Sequence, residues 1–152
     1  MRPSNLLKSW LPVLLWLALM FFDSTDVMSS GHTSRFLIPF LRWLDPEISP
    51  AALAQAHLLL RKAAHVTEYA ILAALLFRGW RSVFPAFWRR AAATLLPAML
   101  FAASDEFHQS YVASRSSSLG DVLLDWSGAL LGLMICAIIW KRHPTSNNLT
   151  SQ

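Results

Sequence analysis

The chain has few charged residues and almost no cysteine for its length of 152 residues. Its single cysteine, Cys136, excludes a framework of disulfide bonds. Charged residues make up 14% of the sequence, whereas a soluble domain carries about 25%. The sequence also lacks a glycine-rich nucleotide loop, a Gly-x-Ser-x-Gly elbow and the alternating pattern of strands. These absences argue against a soluble enzyme of a familiar class.

What the chain has in abundance is apolar sequence. Apolar residues make up 55% of it, with seven tryptophans and eight prolines, and the mean hydropathy is +0.40. This composition is typical of an integral membrane protein with aromatic residues at the interfaces. The net charge of +4 would suit nucleic acid, but the basic residues flank apolar runs and form no basic stripe with interleaved aromatics. We therefore expect no nucleic-acid partner.

Four apolar segments predict an all-α bundle of four transmembrane helices. They are residues 5–22, 63–80, 91–104 and 121–140, the third continuing as helix towards Gln109. The first could instead be a cleaved signal peptide. The residues after Phe22 contain no small-x-small cleavage pattern, which favours a retained helix. One membrane domain is expected over residues 1–144, with a disordered polar tail at 145–152.

The connection between the first two spans contains an amphipathic segment, residues 34–44. It is too short to cross a bilayer and suits a position in the interface. Asp45-Pro46 is expected to end it, because the residue before proline avoids the helical region. Ser49-Pro50 predicts the start of the next helix, with serine as N-cap and proline at the first position. That helix is expected to run on into the second span.

The charges predict the orientation. One set of flanking segments carries eight basic residues and no acid: Arg2, Lys8, Arg78, Arg81, Arg89, Arg90, Lys141 and Arg142. The other set carries the remaining five basic residues and all nine acids. Basic residues accumulate in cytoplasmic loops. Both termini are therefore expected inside, in a multi-pass protein of the bacterial cytoplasmic (inner) membrane.

Two polar segments, residues 61–69 and 104–125, interrupt the apolar runs and are expected to meet at the outer face. Helical spacing puts ionisable groups of three helices on facing sides. The predicted catalytic residues are His65, Glu68, Asp105 and Asp125. The predicted substrate-binding residues are Lys62, Tyr69, Glu106, Gln109, Arg115 and Asp121. Gly128 and Gly132 continue the stripe of Asp121 and Asp125, which predicts that this stripe faces a neighbouring helix.

Simpler interpretations exist for several of these residues. Asp121 could be only a helix cap, and Arg61 and Lys62 could only reach the head groups. Two pairs, Glu68 with His65 and Asp125 with Arg115, could be structural. A divalent metal site is a further alternative, with suitable ligands but no recognised spacing. Its ligands would be Asp105, Glu106, His108, Asp121 and Asp125.

The polar segments resemble the VanZ-like family of small bacterial membrane proteins, named for a teicoplanin-resistance protein. The matching segments are Arg61-Lys62-Ala-Ala-His65-Val-Thr-Glu68-Tyr69, Asp105-Glu106-Phe-His-Gln109, Arg115, and Asp121-Val-Leu-Leu-Asp125-Trp-Ser-Gly128-Ala-Leu-Leu-Gly132. The family often has asparagine at the position of Asp125, so the pocket is more acidic here. The resemblance implies a role in the cell envelope or in glycopeptide tolerance.

Two functions follow from these observations. The first is binding or modification of an anionic, lipid-linked envelope substrate, held by Lys62 and Arg115 through charge-assisted hydrogen bonds. In that function Glu68 or Asp125 would transfer protons with His65 as partner. The second is a non-catalytic interaction or sensor protein, whose pocket docks a membrane protein partner or whose copies form a homo-oligomer. The sequence identifies no cofactor.

Overall fold

A computed structural model describes residues 3–23, 30–111 and 118–142, and within them the chain is helical with no strand. Among these described residues five α-helices follow one another, and a 3-10 turn, Trp80–Ser82, follows the third. The helices are α1 Pro3–Asp23, α2 Ser30–Leu44, α3 Pro50–Gly79, α4 Phe87–Gln109 and α5 Leu119–Arg142. The predicted all-α class is therefore confirmed. The predicted tail at 145–152 lies outside the described residues.

Local sequence signals account for the start of α3. The Ser49 side-chain oxygen accepts a hydrogen bond from the Ala52 amide at 3.2 Å, and Pro50 occupies the first helical position. This is the predicted cap, and the helix continues without a break to Gly79. The amphipathic segment before it forms α2, on which Phe40 and Trp43 are exposed. α3 is the longest helix, and it contacts α1, α2, α4 and α5.

α1 runs antiparallel to α3. The Trp16 indole donates a hydrogen bond to the Glu68 carbonyl at 3.1 Å, and the Arg78 guanidinium donates one to the Lys8 carbonyl at 3.3 Å. The earlier residue of α1 therefore pairs with the later residue of α3, so the two helices run in opposite directions. The start of α1 therefore lies beside the end of α3.

α5 runs parallel to α3 and lies very close to it. A Cβ atom added at Gly128 would come within 2.5 Å of the Val66 carbonyl oxygen, and one at Gly132 would collide with the Ala70 carbonyl. Any side chain at these positions would force the helices apart. The predicted inward stripe of small residues is thus confirmed, and it faces α3.

α4 runs antiparallel to α5. The Trp126 indole donates a hydrogen bond to the Met99 carbonyl at 3.2 Å, while the Arg90 guanidinium lies 4.4 Å from the centre of the Trp140 ring. The bundle formed by α1, α3, α4 and α5 therefore alternates in direction along the chain. Its core combines large side chains of α1 and α3 with alanines of α4 and α5. The core includes Val13, Met20, Tyr69, Leu72, Ala73, Leu76, Ala98, Ala102 and Ala129.

Many large apolar side chains lie on the outside of this bundle. Among the exposed ones are Leu7, Leu11, Leu14, Leu15, Leu96, Leu100, Leu130, Leu131, Met134, Ile135, Ile138 and Ile139. Soluble monomers rarely expose contiguous apolar patches of more than a few hundred Å². Within the described residues, α5 is the one helix whose length and composition, over Leu119–Lys141, suit a membrane span.

The contact between α3 and α5 generates the first prediction. Gly132→Ala should destabilise the fold by about 1–3 kcal/mol, because the added methyl group must push α5 away from the α3 backbone. Gly120→Ala is the matched control, since a Cβ there meets only the Ser118 hydroxyl, at 3.4 Å. Thermal unfolding in detergent, followed by circular dichroism, measures both. Equal melting temperatures for the two variants would contradict the close contact.

Candidate functional site

The centre of the candidate site is a buried pair between α3 and α5. His65 Nδ1 lies 3.1 Å from Asp125 Oδ1, and the Asp125 residue is 0% exposed. The second oxygen of Asp125 is also buried and has no hydrogen-bond partner in the described structure. The carboxylate can therefore orient the imidazole and still offer one oxygen to another group. Of the two partners that the sequence suggested for His65, the structure pairs it with Asp125.

Glu106 of α4 brings a third ionisable group to this centre. A ring nitrogen of His65 and one carboxylate oxygen each of Glu106 and Asp125 lie within 4.8 Å of one another, and all three residues are buried. Glu106 follows the predicted third span, and its carboxylate accepts a hydrogen bond from the Ser118 amide at 3.3 Å. Burial raises the pKa of this carboxyl, and the charges of Asp121 and Asp125 raise it further. Glu106 is thus placed to hold a proton at a higher pH than an ordinary glutamate.

Lys62 and Asp121 form the outer part of the site. The Lys62 ammonium lies 3.5 Å from Asp121 Oδ1, and the lysine side chain remains 42% exposed. Asp121 also belongs to the cap of α5: its amide donates to the Ser118 hydroxyl at 3.2 Å, and that hydroxyl donates to Asp121 Oδ2 at 2.8 Å. Asp121 is therefore both a residue of the helix cap and the partner of Lys62.

Asp105 and Gln109 pair with each other on α4. The Gln109 amide nitrogen donates to Asp105 Oδ2 at 3.1 Å, and both residues are buried. Gln109 also lines a narrow cavity with His65 and Glu106. The volume of this cavity is about 10 Å³, which is enough for roughly one water molecule. The other lining residues are Arg61, Lys62, Asp121 and Leu124.

All of these residues lie within one region of the chain that matches a known protein family. The profile described as VanZ/LLP1 matches residues 9–140. The chain belongs to the VanZ family. No curated protein and no solved structure gives a significant match. The VanZ match extends from α1 nearly to the end of α5, so it includes every helix that contributes to the site.

The structure separates some predicted site residues of this VanZ protein from the cavity. Glu68 is half-buried and lies among neither the cavity-lining residues nor the group of three ligands. Tyr69 is 0% exposed, packs in the core against Phe101, and has a hydroxyl without a hydrogen-bond partner among the described residues. Arg115 lies outside the described residues. Their roles, like those of the other predicted site residues, stay predictions.

The sequence suggested for Arg61 only a contact with lipid head groups, but in the structure it lines the cavity. The signal for this role is its four-residue spacing from His65, which puts both side chains on one helix face. The amide of Ser118 is the other contribution that the sequence did not reveal. It contacts Glu106 only because the start of α5 lies beside the end of α4.

One nitrogen and two carboxylate ligands could hold a divalent metal such as zinc or manganese. The group that the structure brings together is His65, Glu106 and Asp125. The set suggested by the sequence had His108 instead of His65, and it also included Asp105 and Asp121, which are not part of this group. In the structure the His108 ring lies against Phe21 of α1, with 5.5 Å between the ring centres. Any metal in the described site would therefore bind between α3, α4 and α5.

The buried pair generates the second prediction. His65→Leu should cost about 3–5 kcal/mol of unfolding free energy, because it leaves the Asp125 carboxylate buried without its partner. The double variant with Asp125→Leu should cost less than the sum of the single variants, with a coupling of about 0.5–3 kcal/mol. Titration with sodium dodecyl sulfate measures each free energy.

The more exposed pair of Lys62 and Asp121 is the matched control for this cycle. The Lys62 side chain is 42% exposed, so solvent screens the pair and the coupling should stay below about 1 kcal/mol. Strictly additive losses for His65 and Asp125 would mean that the two side chains do not support each other.

Proposed function

We propose that this VanZ protein is a multi-pass protein of the bacterial cytoplasmic membrane. In this proposal its outward-facing polar site binds or modifies an anionic, lipid-linked substrate of the cell envelope. The observation that carries the proposal is that two cations, Arg61 and Lys62, line one cavity together with His65, whose imidazole pairs with the buried Asp125. Cations select a phosphate-bearing substrate, and the pair beneath them supplies a group for proton transfer.

The alternating directions of α1, α3, α4 and α5 support a four-span arrangement. They bring Lys8, Arg78, Arg90 and Trp140 to one end of the bundle. The polar site lies at the other end, where Lys62 pairs with Asp121. The exposed leucines and isoleucines between the two ends suit contact with lipid. With the basic end inside, the polar site faces outward. A role there fits the family's name, which comes from a teicoplanin-resistance protein.

The orientation generates the third prediction. In a Cys136→Ser background, a cysteine at Glu47 should react with a membrane-impermeant maleimide in intact cells. A cysteine at Lys141 should react only after the membrane is opened, because the two positions lie on opposite sides. Gel-shift labelling measures both. Labelling of Lys141→Cys in intact cells at the rate of Glu47→Cys would contradict the four-span topology.

The mode of binding follows from the size of the cavity. About 10 Å³ admits a water molecule but no phosphate group. An anionic head group would therefore meet the exposed ammonium of Lys62 at the mouth, while a water or proton passes between the mouth and His65. Arg61 adds a second positive charge at the same point. The buried carboxylates of Glu106 and Asp125 would repel a deeper position for the anion.

The fourth prediction concerns Lys62. Native mass spectrometry of the protein in nanodiscs made from bacterial membranes should detect an anionic lipid or lipid-linked sugar on the wild type. Lys62→Ala should reduce its occupancy about tenfold, because a charge-assisted hydrogen bond is lost. Arg42→Ala is the matched control, because it removes the same charge from an exposed position on α2.

We also expect Lys62→Ala cells to lose teicoplanin tolerance while they contain normal amounts of folded protein. Equal occupancy of the ligand in Lys62→Ala and wild type would rule out an anionic substrate at this site. A single stoichiometric membrane protein retained in place of a lipid, and lost on Gln109→Ala, would instead support the docking function.

A further inference from the structure

A second, larger cavity lies at the other end of the bundle, among α3, the end of α5 and the start of α4. Its volume is about 270 Å³. Phe77 on its wall is twelve residues beyond His65 on α3, which corresponds to about 18 Å along the helix axis. This cavity is therefore separate from the site of His65 and Asp125. The arginines that line it are Arg78, Arg81 and Arg90, and its apolar wall includes Phe77, Ile139 and Trp140.

Arg90 is the fixed part of this cavity. The residue is 2% exposed, and its guanidinium lies 4.4 Å from the centre of the Trp140 ring and 5.0 Å from that of Phe77. Its Nε donates to the Phe84 carbonyl at 2.9 Å, and a terminal nitrogen donates to the Arg81 carbonyl at 3.4 Å. These contacts hold the cation in place, but carbonyls and rings leave its net charge uncompensated.

Among the residues that the structure describes, no acidic one lines the cavity. The acid nearest to Arg78 on its helix is Glu68, ten residues earlier, or about 15 Å along the axis. Burial lowers the pKa of Arg90, and the charge of Arg81 lowers it further. A buried cation with other cations beside it and no carboxylate is energetically costly. An external anion would relieve that cost.

We propose that this cavity binds the phosphate group of an anionic membrane lipid. Guanidinium groups bind phosphate through paired hydrogen bonds, and Arg78 and Arg81 are exposed at its edge. The side chains of Phe77, Ile139 and Trp140 offer an apolar surface to the first part of the lipid chain. Free inorganic phosphate shares the chemistry of the head group but cannot use that surface. The proposal concerns a different site from the proposed function: it rests on the membrane location proposed above but not on the envelope substrate.

The test uses the full chain in a neutral detergent and native mass spectrometry, with phosphatidylglycerol as the anionic probe and phosphatidylcholine as the zwitterionic one. Wild type should bind one phosphatidylglycerol in preference to phosphatidylcholine. Arg81→Gln should weaken that binding by about tenfold or more, because it loses a charge-assisted contact. The backbone carbonyl that Arg90 uses at position 81 remains, so the fold should be retained. Circular dichroism checks this.

Arg89→Gln is the matched control, because Arg89 is exposed, carries the same charge and does not line the cavity. It should change the affinity less than twofold. Cys136 lines the cavity and is the chain's one cysteine, so bound phosphatidylglycerol should also slow its alkylation several-fold in wild type but not in Arg81→Gln.

Equal loss in Arg81→Gln and Arg89→Gln, or equal binding of the two lipids, would overturn the site. Displacement of the lipid by inorganic phosphate at the same concentration would overturn the assignment to a lipid and leave a site for the free anion. Persistence of the lipid in excess inorganic phosphate is the result expected if the apolar wall contributes.

Discussion

The close contact of α3 and α5 is the interaction on which the rest of the structure depends. Gly128 and Gly132 lack side chains, so the α5 helix can lie directly against the backbone at Val66 and Ala70. The two helices run parallel, and the contact sets one register along their whole length. The same register brings Asp121 to Lys62 and Asp125 to His65. Small residues at a helix interface therefore decide which polar groups meet.

The two ends of the bundle compensate buried charge in different ways. At the polar end, Asp125 has the imidazole of His65, and Glu106 has the backbone amide of Ser118. At the basic end, Arg90 has only carbonyl oxygens and aromatic rings. The carboxyl group of Asp125 and the imidazole of His65 can share a proton, whereas a cation without an acidic partner attracts an anion. This contrast is why proton transfer is proposed at one end and phosphate binding at the other.

Local signals predicted much of the fold. The start of α3 was predictable because Ser49 and Pro50 satisfy the first turn with their own atoms. The inward face of α5 was predictable because two glycines four residues apart have little other use in a helix. Partners were harder to predict. Both Glu68 and Asp125 were candidates for pairing with His65, and the suggested metal ligands included His108 on α4 but not His65.

The sequence by itself determined the helices, the segregation of charge between two sets of loops, and the residues able to do chemistry, because these depend on neighbours along the chain. Only the tertiary structure decided which of them meet. Helix rotation put Asp125 rather than Glu68 beside His65, and turned His108 towards Phe21. It also buried Arg90 against Trp140, fifty residues away in sequence. Such contacts depend on how whole helices pack, and no local pattern records the angle at which they do so.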